Sequence, residues 1–167
     1  MSNIILIGMP ASGKSTVGVL LAKCLGYRFL DCDLLIQEKE GKLLHEIITE
    51  RGAKGFLALE DRICAQIEAD RTVISTGGSA VYGERAMAHL RSLGKVVYLK
   101  IDYDTLVKRL GDYSHRGVVS PNGGTLRELF AQRTALYEKY ADVVVDEKDT
   151  EGDLSKTVAR CVALCEE

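Results

Sequence analysis

The chain has 167 residues and a formal net charge of -2, with 46% hydrophobic and 28% charged residues. This length and balance predict one compact domain over residues 1–167. The absence of a dense Lys/Arg block argues against a nucleic-acid partner, and no apolar stretch reaches membrane-spanning length. The five cysteines form no C-x-x-C pair, and no signal peptide is recognised, so we expect reduced thiols in a cytoplasmic protein, and we favour a monomer.

The first predicted elements are a strand, a glycine loop and a helix. Ile4-Ile5-Leu6-Ile7 is an apolar run typical of a buried strand. Residues Gly8 to Ser15 follow with the pattern G-x-x-x-x-G-K-S, a P-loop, and apolar residues then recur at helical spacing. In this setting backbone N–H groups surround phosphates, Lys14 reaches the β- and γ-phosphates, and the Ser15 hydroxyl is a magnesium ligand. The motif therefore predicts binding of a nucleoside triphosphate with Mg²⁺.

Two carboxylates follow the second predicted strand, Arg28-Phe29-Leu30. Asp31 and Asp33 are two residues apart, so their side chains share one face at the carboxyl end of the strand, where parallel sheets bind ligands. One carboxylate can help to hold Mg²⁺ through water, and the other can orient a hydroxyl and accept its proton. Asp33 also suits the N-cap of the next helix. Beside a P-loop we favour the functional interpretation.

The remaining chain alternates helices and strands. Helices are predicted over residues 33–52 with a break at Gly41, and over 54–69, 84–93, 103–110, 125–140 and 152–165. Strands are predicted over 72–75, 95–99 and 142–145. This alternation predicts a three-layer α/β/α fold with a five-stranded parallel sheet. Residues 111–124 have no periodicity, are rich in glycine and contain Pro121, and they predict a lid loop.

A second glycine motif, Ser75-Thr76-Gly77-Gly78-Ser79, follows the third strand directly. Adjacent glycines let a ligand approach the backbone and leave N–H groups available to it. The same pair is common in plain tight turns. Both interpretations remain open from the sequence.

Three arginines are candidates for ligand binding. Arg133 falls within an apolar helical stripe, where a guanidinium must either pair with a core carboxylate or face a polar pocket, and we favour a carboxylate- or phosphate-binding role. Arg116 lies in the predicted lid, where it is either solvated or able to close over the γ-phosphate. Arg109 near a helix end either favours that terminus or stacks on adenine.

Taken together, these motifs resemble the shikimate kinase family from end to end of the chain. The matching segments are Thr16-Val17-Gly18 after the P-loop, Asp31-Cys32-Asp33, Gly77-Gly78, the lid residue Arg116, and the R-x-x-L-Y-x-x-x-A-D run from Arg133 to Asp142. The resemblance implies ATP-dependent phosphorylation of shikimate to shikimate 3-phosphate, within aromatic amino acid biosynthesis, with Mg²⁺ as cofactor.

The resemblance also implies a role for each matching residue. Lys14, Asp33 and Arg116 would be catalytic, while Ser15 and Asp31 would serve the metal. Asp33, Gly77, Gly78 and Arg133 would bind the acceptor, with Arg133 on its carboxylate. The residues implied to bind ATP are Gly8, Ala11, Ser12, Gly13, Lys14, Ser15, Thr16, Arg109 and Arg116.

The chain departs from the family pattern at three places. Leu57 follows Phe56 where the family has Arg, although the acidic Glu60 is retained; Ser79 replaces a third glycine; and the lid reads Arg116-Gly117-Val118-Val119 instead of Arg-Pro-Leu-Leu. All three lie on the acceptor side or in the lid. A kinase for a different polyol or hydroxy acid therefore remains an alternative. An alternative of another class is a non-catalytic nucleotide-binding regulatory module, against which the Asp31/Asp33 pair and Arg133 count.

Overall fold

The computed structural model describes residues 3–111 and 118–166. The strands are β1 Asn3–Ile7, β2 Arg28–Asp31, β3 Thr72–Ser75, β4 Gly94–Lys100 and β5 Val143–Asp146. The helices are α1 Lys14–Leu25, α2 Cys32–Glu40, α3 Leu44–Cys64, α4 Glu84–Leu93, α5 Tyr103–Leu110, α6 Leu126–Tyr140, α7 Glu147–Thr150 and α8 Leu154–Glu166. A 3₁₀ turn spans Ala80–Tyr82. None of the helices in the described ranges is both long and apolar enough to cross a bilayer.

The strands form one parallel sheet in the order β2-β3-β1-β4-β5. The central strand β1 pairs with β3 through Ile4 and Val73, and with β4 through Ile4 and Lys95. All four pairings are parallel. The predicted five-stranded parallel sheet is therefore confirmed.

Both faces of the sheet are buried, as a continuous apolar strand requires. In β1, Ile5 and Ile7 point into a core shared with α4, α5 and α6, whereas Ile4 and Leu6 point into a second core shared with α1 and α8. The four side chains are at most 3% exposed. This alternation gives the predicted three-layer α/β/α arrangement and leaves the carboxyl ends of the strands to carry the site.

The region after β2 differs from the prediction in one boundary. The break at Gly41 is present, and α3 has a non-helical residue at Gly52, with φ 69° and ψ 175°, near the predicted division. The helix predicted to reach residue 69 ends at Cys64. There the Ile67 N–H bonds to the Cys64 carbonyl in a tighter turn, while Ile67 stays in the core at 3% exposed. The apolar stripe therefore continues past the end of the helix.

Candidate functional site

The P-loop connects the end of β1 to the start of α1. Gly13 has φ 88° and ψ 14°, a left-handed conformation that favours glycine, and it is the N-cap residue of α1. The Lys14 ammonium donates to the carbonyls of Gly8 and Met9, each at 2.8 Å. Burial lowers the pKa of Lys14 to about 8, and the nearby Asp33 carboxylate opposes that shift. The loop thus holds a buried cation on its own carbonyls, at the N-terminus of a helix.

Asp31 joins the P-loop to the second strand. The Ser15 hydroxyl donates to Asp31 Oδ2 at 2.7 Å, and the Ser75 hydroxyl oxygen lies 3.4 Å from Ser15 Oγ. Asp31 Oδ1 accepts from the Asp33 N–H at 2.9 Å and caps α2. The alternative that Asp33 caps this helix is therefore wrong, because Asp31 precedes the first helical residue. The Asp33 side chain is left to face the ligand side of the sheet.

Asp33 lies in a cleft in front of the P-loop, which we call the loop cleft. Its lining residues are Pro10, Ala11, Gly13, Lys14, Ser15, Thr16, Asp33, Thr76, Gly77 and Gly78. Burial and then the neighbouring Asp31 raise the pKa of Asp33, while Lys14 lowers it. A carboxylate with raised proton affinity suits a general base, since it accepts a proton more readily than an ordinary aspartate does.

Gly77 is fixed between two carboxyl groups. A Cβ at this position would lie 2.7 Å from Glu60 Oε2 and 2.8 Å from Asp33 Oδ1. A side chain at this position would therefore have to displace one of these carboxyl groups. The turn after β3 is therefore packed against acidic side chains from two different helices.

Arg133 lies in a second, smaller space next to the loop cleft, which we call the arginine pocket. Its lining residues are Pro10, Asp33, Leu44, Phe56, Gly77, Gly78, Ser79, Val118, Val119 and Arg133. The Arg133 side chain is 1% exposed, and its Nη2 donates to the Val119 carbonyl at 2.5 Å. Its Nε has no hydrogen-bond partner in residues 3–111 and 118–166.

The guanidinium also lies 5.5 Å from the centre of the Tyr82 ring. No carboxylate in the described part of the chain forms an ion pair with Arg133. The salt bridge considered as the alternative is thus absent from these residues, and the inward position predicted for Arg133 is confirmed. A buried cation at a pocket wall is suited to an anionic ligand.

Glu60 is a further charged group at this site, identified in the sequence only through the resemblance. It is 1% exposed, and its Oε1 accepts a hydrogen bond from the Ser79 hydroxyl at 2.6 Å. Burial raises the pKa of Glu60 to about 7, against the opposing effects of Ser79 and Arg133. Glu60 interrupts the apolar stripe of Phe56 and Ile63 on α3, so the signal that identified Arg133 also marks this residue.

Replacement of Glu60 by Gln is expected to change how stability depends on pH. Between pH 4.5, its ordinary pKa, and about 7, the unfolded chain releases the Glu60 proton and the folded chain retains it. The free energy of unfolding of the wild type therefore falls across this window, by about 3 kcal/mol from this group, and Glu60→Gln removes that fall. Urea unfolding at pH 5 and pH 8 measures it. The exposed variant Glu68→Gln is the control, and equal pH dependence of Glu60→Gln and wild type contradicts the prediction.

Arg109 lines a third space on the other side of the P-loop, which we call the side cleft. Its Nη1 donates to the Ala11 carbonyl at 3.1 Å, and its Nη2 pairs with the Glu147 carboxylate on the one-turn helix α7. The lining residues of the side cleft are Ser12, Gly13, Thr16, Val17, Leu99, Lys100, Ile101, Arg109, Val145, Glu147, Gly152, Leu154 and Thr157. Arg109 is thus held beside the loop. The predicted lid residue Arg116 lies outside the described residues.

The loop cleft and the arginine pocket adjoin each other. They share Pro10, Asp33, Gly77 and Gly78 among their lining residues. Leu57, by contrast, packs with Phe56 in an apolar cluster and does not line the arginine pocket. The predicted candidates Lys14, Asp33, Gly77 and Arg133 are therefore brought together around two connected spaces, one at the P-loop and one at the buried guanidinium.

Comparison with known proteins gives a consistent result. The family model described as shikimate kinase matches residues 10–163. A shikimate kinase from Gloeobacter violaceus is 39% identical over 96% of this chain and 92% of its own length. The crystal structure of shikimate kinase from Aquifex aeolicus is 32% identical, with a TM-score of 0.81 over 96% of this chain and 94% of that one. The structure of shikimate kinase from Acinetobacter baumannii in complex with shikimate is 30% identical, with a TM-score of 0.76 over 87% of this chain and 83% of that one.

Proposed function

The chain belongs to the shikimate kinase family and is an ATP-dependent kinase, and we propose that it phosphorylates the 3-hydroxyl of shikimate. The observation that carries this proposal is the pair of adjoining spaces with Asp33 between them. ATP would place its phosphates in the loop cleft, and shikimate would occupy the arginine pocket. Support for the acceptor comes from the Acinetobacter baumannii relative, which is described in complex with shikimate.

In this proposal Asp33 orients the acceptor hydroxyl toward the γ-phosphate and accepts its proton. Lys14 and Arg116 stabilise the charge that develops on the transferred group. Catalysis then consists mainly of positioning and charge stabilisation, because phosphoryl transfer needs little covalent participation by the protein. Arg109 is assigned to the adenine ring, since it is held at the far side of the same loop.

The residues near Ser15 fit a magnesium ion. The Ser15 hydroxyl and the Asp31 carboxylate converge at 2.7 Å, and both supply the hard oxygen ligands that Mg²⁺ prefers. No group of three His, Cys, Asp or Glu side chains in the described ranges is placed to hold a metal, and in this proposal substrate phosphates and water supply the remaining ligands. When bound, the ion would neutralise charge on the β- and γ-phosphates, with Ser15 as direct ligand and Asp31 acting through water.

Arg133 is assigned to the shikimate carboxylate, together with the backbone of Gly77 and Gly78. We expect Arg133→Lys to raise the KM for shikimate about 10- to 100-fold with little change in the KM for ATP. The reason is that lysine loses the planar pair of donors that a carboxylate accepts. Steady-state kinetics with each substrate varied in turn measure both constants. Arg127→Lys, on the exposed face of the same helix, is the matched control, and an equal rise in both KM values contradicts the assignment.

The proposal is tested by ADP release from ATP with shikimate, quinate, gluconate and simple polyols as acceptors. Release with shikimate supports it. ADP release only with another polyol would mean that the chain is a kinase whose acceptor is not shikimate. This is the second candidate function, and it is favoured by the apolar Leu57, which stands where the family has Arg. ATP binding without ADP release in the presence of any acceptor contradicts catalysis and supports a regulatory module.

We also propose that the kinase acts as a monomer in the cytoplasm, with ATP and the acceptor as its partners and no role in binding nucleic acid. The free thiols of Cys24, Cys32, Cys64 and Cys161 agree with a reducing compartment. The formal net charge of -2 agrees with a small-molecule partner rather than a polyanion.

A further inference from the structure

The buried carboxyl of Glu60 has an unusual set of contacts. Ser79 supplies its one hydrogen bond from the described residues, to Oε1 at 2.6 Å, and Oε2 has no partner there. No Lys or Arg in residues 3–111 and 118–166 forms an ion pair with it, and Leu57, one helical turn earlier on α3, is apolar. A buried acidic group with a single neutral hydrogen-bond partner destabilises the fold, so its presence here calls for an explanation.

Both carboxyl oxygens of Glu60 contact the turn formed by Gly77, Gly78 and Ser79. Oε1 binds the Ser79 hydroxyl, and Oε2 lies against Gly77 on the side where a Cβ would be. Asp33 Oδ1 lies against the same side of Gly77. Both carboxyl groups therefore pack against the same side of the turn, and a change at Glu60 is expected to move the turn relative to Asp33.

The same turn is also held by α6. The Tyr137 hydroxyl donates to the Gly78 carbonyl at 2.6 Å, and Arg133 lies on this helix one turn earlier. The turn is thus fixed between α3 and α6 while it lines both the loop cleft and the arginine pocket. Loss of one of the two attachments leaves the turn free to shift relative to Asp33 and Arg133.

We propose that Ser79 and Glu60 form a positioning pair that holds the acceptor-binding turn against Asp33. In this chain α3 offers no basic side chain to Glu60, since residue 57 is Leu. The Ser79 hydroxyl holds the Glu60 carboxyl in position instead. The pair acts mainly on the acceptor, because Ser79 lines the arginine pocket and does not line the loop cleft. This inference rests on the proposed function, in which the acceptor occupies the arginine pocket.

The test compares wild type with Ser79→Ala, Glu60→Gln, Glu60→Ala and the double variant Ser79→Ala/Glu60→Ala, with kcat and both KM values measured for each. Ser79→Ala is expected to raise the KM for shikimate about tenfold and to leave the KM for ATP within about twofold. Glu60→Gln keeps a carbonyl that accepts from Ser79, so its KM for shikimate is expected to stay within about threefold of wild type. Because the two residues act as one unit, the KM for shikimate of the double variant should be no higher than that of Glu60→Ala alone.

Any of three results would overturn the proposal. They are an unchanged KM for shikimate in Ser79→Ala, an equal rise in the KM values for shikimate and ATP, or additive effects of Ser79→Ala and Glu60→Ala on the KM for shikimate. Thermal melting confirms that each variant is folded, and if Glu60→Ala does not fold, Ser79→Ala and Glu60→Gln decide the question. Wild type that does not turn over shikimate contradicts the proposed function, and this is seen before any variant is compared. In that case the same variants are measured with the polyol that the wild type phosphorylates. The positioning role of the pair is then tested independently of the identity of the acceptor.

Discussion

Replacement of Asp33 by Asn is expected to lower kcat about 10²- to 10⁴-fold. The amide can still contact the acceptor hydroxyl, but it cannot accept the proton that the hydroxyl loses as the phosphoryl group is transferred. The KM for ATP is expected to change little, because the P-loop contacts do not involve this side chain. Burial raises the pKa of Asp33, so the neutral variant should fold at least as stably as wild type.

Coupled measurement of ADP release at saturating ATP and shikimate tests this prediction. The control is Asp104→Asn, a change of the same kind at an exposed position on α5. A kcat for Asp33→Asn within about threefold of wild type would remove Asp33 from the chemical step. A loss of kcat accompanied by loss of folded protein would instead assign it a structural role, and circular dichroism distinguishes the two outcomes.

Lys14→Met is expected to lower kcat about 10²- to 10³-fold, since it removes a fixed positive charge from the place where phosphate charge develops. Methionine fills a similar volume. Burial lowers the pKa of Lys14 to about 8, which means that the charged ammonium destabilises the folded chain, and the substitution removes this destabilisation. The loss of its hydrogen bonds to the Gly8 and Met9 carbonyls opposes this gain, so the melting temperature should change little even as activity is lost.

Single-turnover measurements separate the chemical step of Lys14→Met from ATP binding. Lys23→Met, in the last turn of the same helix, changes an exposed lysine and serves as the control. If the single-turnover rate is retained and only ATP affinity drops, Lys14 binds the ground state and contributes nothing specific to the transition state.

The sequence predicts the layered fold well because its signals are local. The apolar run at Ile4–Ile7, the P-loop and the alternation of strands with helices each follow from residue spacing over a few turns. The structure adds the one-turn helix α7 and the 3₁₀ turn at Ala80–Tyr82. Both are shorter than any window in which helical periodicity can be recognised.

The site is predicted less completely, because its contacts join distant segments. Arg133 was identified as inward-facing from its own helix, but its Val119 partner lies in the loop before that helix. The N-cap residue of α2 is Asp31 instead of Asp33, because the helix begins two residues earlier than a cap at Asp33 would allow. Local propensity does not determine a helix boundary to this accuracy. Glu60 and Ser79 are brought together only by the packing of α3 against the turn after β3.

The strand order has a consequence for how the protein is made. The central strand β1 is the first to be synthesised, yet its partners are β3 and β4, where Ile4 lies beside Val73 and Lys95. At ribosomal rates β1 therefore waits on the order of 10 s for its first neighbouring strand, and no local hairpin can pair with its backbone in the meantime. The P-loop follows β1 directly, so we expect it to take its shape only after β3 and β4 have been synthesised. We therefore expect the chain to bind nucleotide late in folding, although the P-loop precedes both of these strands in the sequence.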